Sequence, residues 1–264
     1  MLMEVRNQIK ITLITIKYAL MKEMLNKVTF IMNIVFMILN NACFIVQWVI
    51  IYNLKKDVGG YTFKQILLLW ALAASTYGFS HFFFSKSYSL SDVITNGKLD
   101  AYLVQPKNVL ISAITSDVDT SALGDMIYGY LLLIIYGFSF KNFALFTIFT
   151  IIGGIVLTDL STILASLTFW FNKADFIADT GNRLMTNFAT YPDGIFKGFA
   201  KILLFTIVPV GIINYIPLWV ITKFNIELML LTIVICIILT ILTFIIFNSG
   251  LRKYSSTNLM VAKL

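Results

Sequence analysis

Long apolar runs separated by short polar segments dominate the pattern of hydrophobic and polar positions along this chain. A helix needs roughly 20 residues to cross a bilayer, and five uninterrupted runs have about that length. The pattern therefore predicts spanning helices at residues 28–52, 63–84, 121–140, 143–171 and 228–247. A further apolar run, 195–221, is broken by Pro209 and Pro217, and by hydropathy alone residues 172–194 form a polar loop.

The N-terminal residues 1–27 show a different pattern from the spans. Apolar side chains recur every three or four residues there, at Ile9, Leu13, Ile16, Leu20 and Met24. Lysines lie off this stripe, so the segment is typical of a basic amphipathic helix in the membrane interface. The alternative is a cytoplasmic extension of the first span.

Composition defines the class of protein. The chain of 264 residues is 59% hydrophobic and only 12% charged, whereas soluble domains have roughly 45–50% apolar and about 25% charged residues. This excludes a soluble enzyme and predicts an all-α polytopic membrane protein of six transmembrane helices. We expect an interfacial helix at 1–27, a single transmembrane domain at 28–249 and a cytoplasmic tail at 250–264. The two cysteines lie singly in apolar runs, and no metal site is predicted.

The net charge of +7 does not indicate a nucleic-acid partner, because the basic residues are scattered between apolar segments and 17 of the 20 are lysine. Their distribution instead predicts orientation. With six simple spans and the N-terminus inside, 15 of the 20 basic residues are cytoplasmic. The N- and C-termini and the loop 85–119 are then expected in the cytoplasm.

That loop contains a short amphipathic segment. Leu90, Val93 and Ile94 fall on one side of a predicted helix, with Ser89 as its N-cap and Asn96-Gly97 as its C-terminal stop. A helix of one or two turns cannot bury such a stripe alone. We therefore expect the stripe to contact lipid or a protein partner.

Two motifs resemble those of a known family. The run 97–106 is similar to the G-x-L-D-x-x-L-x-R-P signature that follows the second span in permeases of the ABC type-2 exporter superfamily, and the run 191–196 is similar to the Y-P-x-x-I-F sequence of a bacterial multidrug- or antibiotic-type branch. The matching residues are Gly97, Leu99, Asp100, Leu103, Pro106, Tyr191, Pro192 and Phe196. Pro209, Tyr215 and Pro217 resemble a later family motif, whereas Gln105 replaces the usual basic residue.

The resemblance implies a permease subunit in the bacterial cytoplasmic membrane. It implies an ABC ATPase subunit as partner, which would bind ATP and Mg, and a second permease copy or a paralogue. This chain has no phosphate-loop motif, so no cofactor of its own and no ATPase activity are expected. A coupling helix between spans two and three would dock on the ATPase, with contact candidates Tyr88, Leu90, Asp92, Val93 and Ile94.

The resemblance also changes the expected topology. It places a fifth span at 175–190, Tyr191 outside, and a re-entrant hairpin over 199–221. A polar residue recurs at every fourth position of this fifth span: Asp175, Asp179, Arg183 and Asn187. Such a stripe argues against a lipid-facing helix and suits a pathway-lining or dimer-facing span. In this topology 12 basic residues are inside and seven outside.

Several polar residues fall within predicted spans. Asn26, Asn33, Asn40 and Gln47 recur every seven residues and could line a pathway or bond neighbouring helices. Asp159 is an ionisable residue deep in the fourth span, with His81 or Arg183 as the predicted partner in an ion pair. Proton-coupled gating is the alternative role, so an ATPase-independent secondary transporter and a membrane scaffold are the rival functions.

Overall fold

The chain folds almost entirely into helices in a computed structural model, which describes residues 2–171, 174–206 and 210–255. In this part of the chain there is no β-strand, as the sequence predicts. The helices are α1 Leu2–Glu23, α2 Lys27–Leu54, α3 Phe63–Phe84, α4 Leu90–Thr95, α5 Asp100–Leu103, α6 Val109–Ile114, α7 Ala122–Gly137, α8 Phe140–Ser166, α9 Ala174–Ala189, α10 Phe199–Thr206, α11 Ile216–Thr222 and α12 Ile226–Leu251.

Polar side chains determine where the long helices begin. Asn26, Ser139 and Asn225 each accept a hydrogen bond from a backbone N–H in the first turn of α2, α8 and α12, and Thr62 forms a capping box with Gln65 at α3. Gly137, whose φ is +148°, ends α7 three residues before the predicted boundary. Ser139 caps α8, which starts three residues earlier than predicted. Asn26 is thus a helix cap rather than a member of a polar stripe.

The helix ends lie on two opposite faces. The first, which we call the α4 face, contains α4, the ends of α8 and α12 and the start of α9. These elements pack together through Leu90, Ala165, Ala178 and Phe247. The second, the hairpin face, contains the connections 55–62 and 138–139 and residues 191–196, and Tyr61 donates a hydrogen bond of 2.6 Å to Asp193 there. Tyr191 therefore lies on the side of the α2–α3 connection, opposite α4.

The number of membrane crossings follows less directly from the fold. Four helical segments of the described chain are long and apolar enough to span a membrane: Lys27–Leu54, Phe63–Thr95, Phe140–Phe169 and Ile226–Leu251. A fifth is reached if the bent pair of Phe199–Thr206 and Gly211–Thr222 is one span. The predicted count of six depends on α7 and α9, which have 16 residues each, and stays a prediction.

The bent pair of α10 with the π-helical turn Gly211–Tyr215 and α11 starts and ends on one face. The axes of its two arms are bent by 73° relative to each other. Lys201 of α10 forms an ion pair of 2.8 Å with Asp193, and the Phe224 ring after α11 lies 4.6 Å from Lys141 Nζ at the α7–α8 connection. A bent pair of this kind is either a broken span or a re-entrant loop, so the re-entrant hairpin over 199–221 stays a prediction. Pro217 falls within the first turn of α11. Pro209 lies outside the described residues.

Helix α3 is the centre of the bundle. About 72% of the residues in its apolar stretch are buried, against 11% for α2 and 22% for α12. Small residues let α3 and α7 approach closely: a Cβ at Gly129 would lie 2.6 Å from the Ala71 carbonyl oxygen and overlap Ser75 Oγ. Close packing of this kind drives helix association in membranes.

Helix α1 is separate from the first span, since three residues outside the helices divide Glu23 from Lys27. Part of its apolar stripe, Ile16 and Leu20, packs on Phe82 and Val118. Ile9, Leu13 and Met24 stay exposed. These exposed side chains are available to a lipid surface, which remains the predicted environment of α1.

Candidate functional site

A cavity of about 700 Å³ lies among α2, α3, α7, α8 and the C-terminal half of α9. Small-molecule sites commonly enclose about 300–1,000 Å³. Aromatic rings form much of its wall: Phe44, Trp48, Trp70, Tyr77 and Tyr191. Side-chain amides supply most of its polar groups: Asn40, Asn41, Gln47, Asn187 and Asn214.

Asp125 is the charged residue of this wall. It lies in the first turn of α7, is 4% exposed, and accepts a hydrogen bond of 2.6 Å from Asn41 Nδ2 to Oδ1. Asn41 also donates to the Met37 carbonyl, which fixes the orientation of its amide. The second oxygen, Oδ2, is buried without a hydrogen-bond partner among the described residues.

The aromatic rings of the cavity are held by contacts with one another. Phe44 stacks on Trp70 with centroids 5.3 Å apart, and Trp48 meets Tyr191 edge to face at 6.2 Å. Tyr191 is half exposed and lies where α9 ends, at the hairpin face. The cavity thus extends from Asp125 inside the bundle towards that face.

The predicted pathway residues divide into those that line the cavity and those that do not. Asn40 and Gln47 line it, as does Asn187 of α9. Asn33 is exposed and lies outside its wall. Asp179 and Arg183 are also exposed and absent from the wall.

The predicted ion pair of Asp159 is wrong. Asp159 accepts a hydrogen bond of 2.7 Å from Thr240 Oγ1 on α12, and neither ion pair found between side chains of the described residues includes it. His81 is instead stacked between Tyr77 and Tyr88, with centroids 3.9 and 3.7 Å away. Arg183 is exposed on α9. A hydroxyl from a facing helix therefore takes the place of the expected cation.

The Tyr77–His81–Tyr88 stack connects the cavity with the loop that carries α4. Tyr77 is in the cavity wall, and Tyr88 precedes α4 by two residues. The Tyr88 hydroxyl lies 2.8 Å from Ser80 Oγ, which lies 2.7 Å from Thr158 Oγ1 on α8. A displacement of Tyr77 or of Tyr88 would therefore press on the His81 ring between them.

The stripe of α4 does not need an external partner. The helix has the predicted bounds, but Leu90 and Ile94 are buried against α8, α9 and α12 of the same chain. Val93 is half-buried and Asp92 is exposed, so the accessible side of α4 is polar. Ser89 makes no side-chain cap, whereas Gly97, with φ of +68°, ends the helix as predicted. Contact with an ATPase stays a prediction.

The residues of the first motif directly follow α4. Leu99 is fully buried, whereas Leu103, Pro106 and Gln105 are exposed. Burial and the neighbouring Asp100 carboxylate raise the pKa of Tyr254, after α12, to about 12. Asp100 thus interacts with the residues that follow the last helix.

The residues of the second motif lie between α9 and α10, at the hairpin face. Pro192 is buried, and Phe196 packs edge to face on Phe188 at 5.4 Å. Burial and the hydrogen bond to Asp193 raise the pKa of Tyr61, which keeps its hydroxyl a donor. Tyr215, from the third motif, donates to the Tyr191 carbonyl at 2.9 Å.

Sequence reasoning missed Asp125, Asn41, Trp70 and Tyr77. Asp125 carries the same signal as Asp159, an ionisable residue within a predicted span, and that signal could have identified it. The aromatic residues carry no such signal, because rings in an apolar helix are ordinary packing residues. The described residues contain no group of three or more His, Cys, Asp or Glu placed to hold a metal ion.

These observations define a polytopic helical membrane protein with a cavity between its spans. The sequence model of the ABC-2 family transporter proteins matches residues 37–258. The chain belongs to this family, whose members are permease components of ABC transporters and not themselves ATPases. Searches of curated proteins and of solved structures found no match.

Proposed function

We propose that this chain is the permease subunit of an ATP-driven exporter in the bacterial cell membrane. It acts with a separate ABC ATPase, which binds ATP and Mg, and forms the substrate pathway as a dimer. The observation that carries the proposal is the cavity among the spans of an ABC-2 family chain, connected by stacked rings to α4. Resistance to an exported antibiotic is one role that such a pathway would support.

Coupling in this proposal passes through the stack of Tyr77, His81 and Tyr88. The ATPase engages the polar side of α4 and moves the loop that begins at Tyr88. Because the three rings are in contact, Tyr77 shifts in the cavity wall. Ser80, which bonds the Tyr88 hydroxyl, also bonds Thr158 of α8, and Ser161 of α8 donates to the Ser87 carbonyl, so the Tyr88 end of the stack is held against α8.

A polar stripe on α9 supports the dimer. Asp175, Asp179, Arg183 and Asn187 are all exposed, whereas Ala174, Ala178 and Met185 on the opposite side are buried. Charged side chains at membrane depth avoid lipid and find polar partners. The same stripe of a second permease, a copy or a paralogue, supplies such partners by mutual pairing of Asp and Arg.

Orientation gives a labelling prediction. With the α4 face in the cytoplasm, a single cysteine at the exposed Lys197 should react in whole cells with a membrane-impermeant thiol reagent. A single cysteine at Asp92 should react only after the membrane is opened. Both variants are made after Cys43→Ser and Cys236→Ser, since Cys43 is exposed. The reverse labelling pattern would contradict the proposed orientation.

The function itself is tested by capture of the tagged permease from its own membranes. Native mass spectrometry should find two permeases with two subunits that contain a phosphate-loop motif, and the complex should hydrolyse ATP. A permease that is captured intact, folded and always without an ATPase would favour the secondary transporter or the scaffold. A complex with one permease would contradict the dimer.

A further inference from the structure

We propose that the cavity binds an organic cation with a single positive charge and an apolar body, and that Asp125 is its counter-ion. This inference names the substrate class of the proposed exporter and rests on that function. The first observation is the charge of the cavity wall. Among the described residues that line the cavity, Asp125 alone carries a formal charge, so no basic side chain neutralises it there.

The hydrogen bonds of Asp125 leave room for such a ligand. Asn41 satisfies Oδ1 and holds the carboxylate against α2, while Oδ2 has no partner among the described residues. An unpaired carboxylate in an apolar interior is costly. Asn214, fully buried in the same wall, also has an acceptor without a partner at Oδ1. A cation beside Asp125 compensates the carboxylate by its charge.

The rings of the wall suit the same ligand. Phe44, Trp48, Trp70, Tyr77 and Tyr191 present apolar surface to the body of a ligand and π-electron density to its charge. An anion would face Asp125 with only uncharged donors, such as the buried and unpaired Trp70 Nε1. One carboxylate matches one positive charge.

Asp159 gives a natural comparison within the same bundle. It is also a buried carboxylate, but Thr240 on α12 bonds its Oδ2, and it does not line the cavity. Its role is contact between α8 and α12. Removing its charge should leave the charge in the cavity unchanged.

Two ions of the same shape and opposite charge test the proposal, tetraphenylphosphonium and tetraphenylborate. Saturable binding of each is measured to the purified full-length permease in neutral-lipid nanodiscs, after subtraction of empty nanodiscs. The wild type should bind the phosphonium saturably. Asp125→Asn should weaken that binding by about tenfold or more and leave borate binding equal or stronger, whereas Asp159→Asn should leave the phosphonium affinity unchanged.

A thermal melt without ligand identifies any variant that fails to fold. If Asp125→Asn is unfolded, Asp125→Glu should retain phosphonium binding and Trp70→Leu should weaken it. Equal phosphonium affinity of the wild type and a folded Asp125→Asn, or no saturable binding by the wild type, would overturn the proposal. The assay needs neither ATP nor ATPase, so its failure is distinct from a failure to capture the ATPase.

Discussion

The double substitution of Asp92→Arg and Thr95→Arg should reduce the ATPase that co-purifies with the permease by about tenfold or more. Both side chains are exposed on the polar side of α4, and the Thr95 hydroxyl donates to the Ser91 carbonyl of its own helix. Two added positive charges therefore change the surface presented to a partner without disturbing the interior. Co-purification and the thermal melt are measured on the same preparations.

Leu90→Asp is the matched variant on the buried side of the same helix. Leu90 is 0% exposed and packs among the ends of α8, α9 and α12. A carboxylate there should cost about 3–5 kcal/mol, from lost packing and a buried charge. We expect little folded protein, and loss of the ATPase only as a consequence. A folded Leu90→Asp permease that specifically loses the ATPase would show that Leu90 faces the partner.

Gly129→Ile should unfold the bundle or severely destabilise it, by about 3 kcal/mol or more. The new side chain would meet the Ala71 backbone, which cannot move without separating α7 from α3. Leu131→Ile is the control, because Leu131 lies on the exposed side of α7 and should leave stability within about 0.5 kcal/mol. Denaturation in mixed micelles measures both. A wild-type unfolding curve for Gly129→Ile would contradict the packing of these helices.

The helices that the sequence predicts well are those whose ends are set by neighbouring residues in the chain. Helix α3 has its predicted bounds, because Thr62 caps its first turn and apolar side chains fill its length. Helix α4 also has its predicted bounds, because Gly97 ends it. The burial of its stripe was not predictable, since the ends of α8, α9 and α12 that cover it are distant in sequence.

In the candidate site, too, the sequence predicts relations between residues close together in the chain but not between residues far apart in it. Asn40 and Gln47 could be placed together from their spacing on one helix. The bond of Asn41 to Asp125 joins residues 84 positions apart, and no spacing rule predicts it. Asp159 was expected in an ion pair, but it accepts a hydrogen bond from Thr240, whose hydroxyl is an ordinary feature of an apolar span.

One crosslinking measurement tests most directly whether α4 is the contact with a separate ATPase. A photoreactive amino acid is placed at Asp92, on the exposed side of α4, and in a second protein at Lys197 on the opposite face. In intact cells, the Asp92 probe should form a crosslink to a protein with a phosphate-loop motif, and the Lys197 probe should not. A crosslink to that protein from Lys197, or none from Asp92 while the ATPase still co-purifies, would contradict coupling through α4.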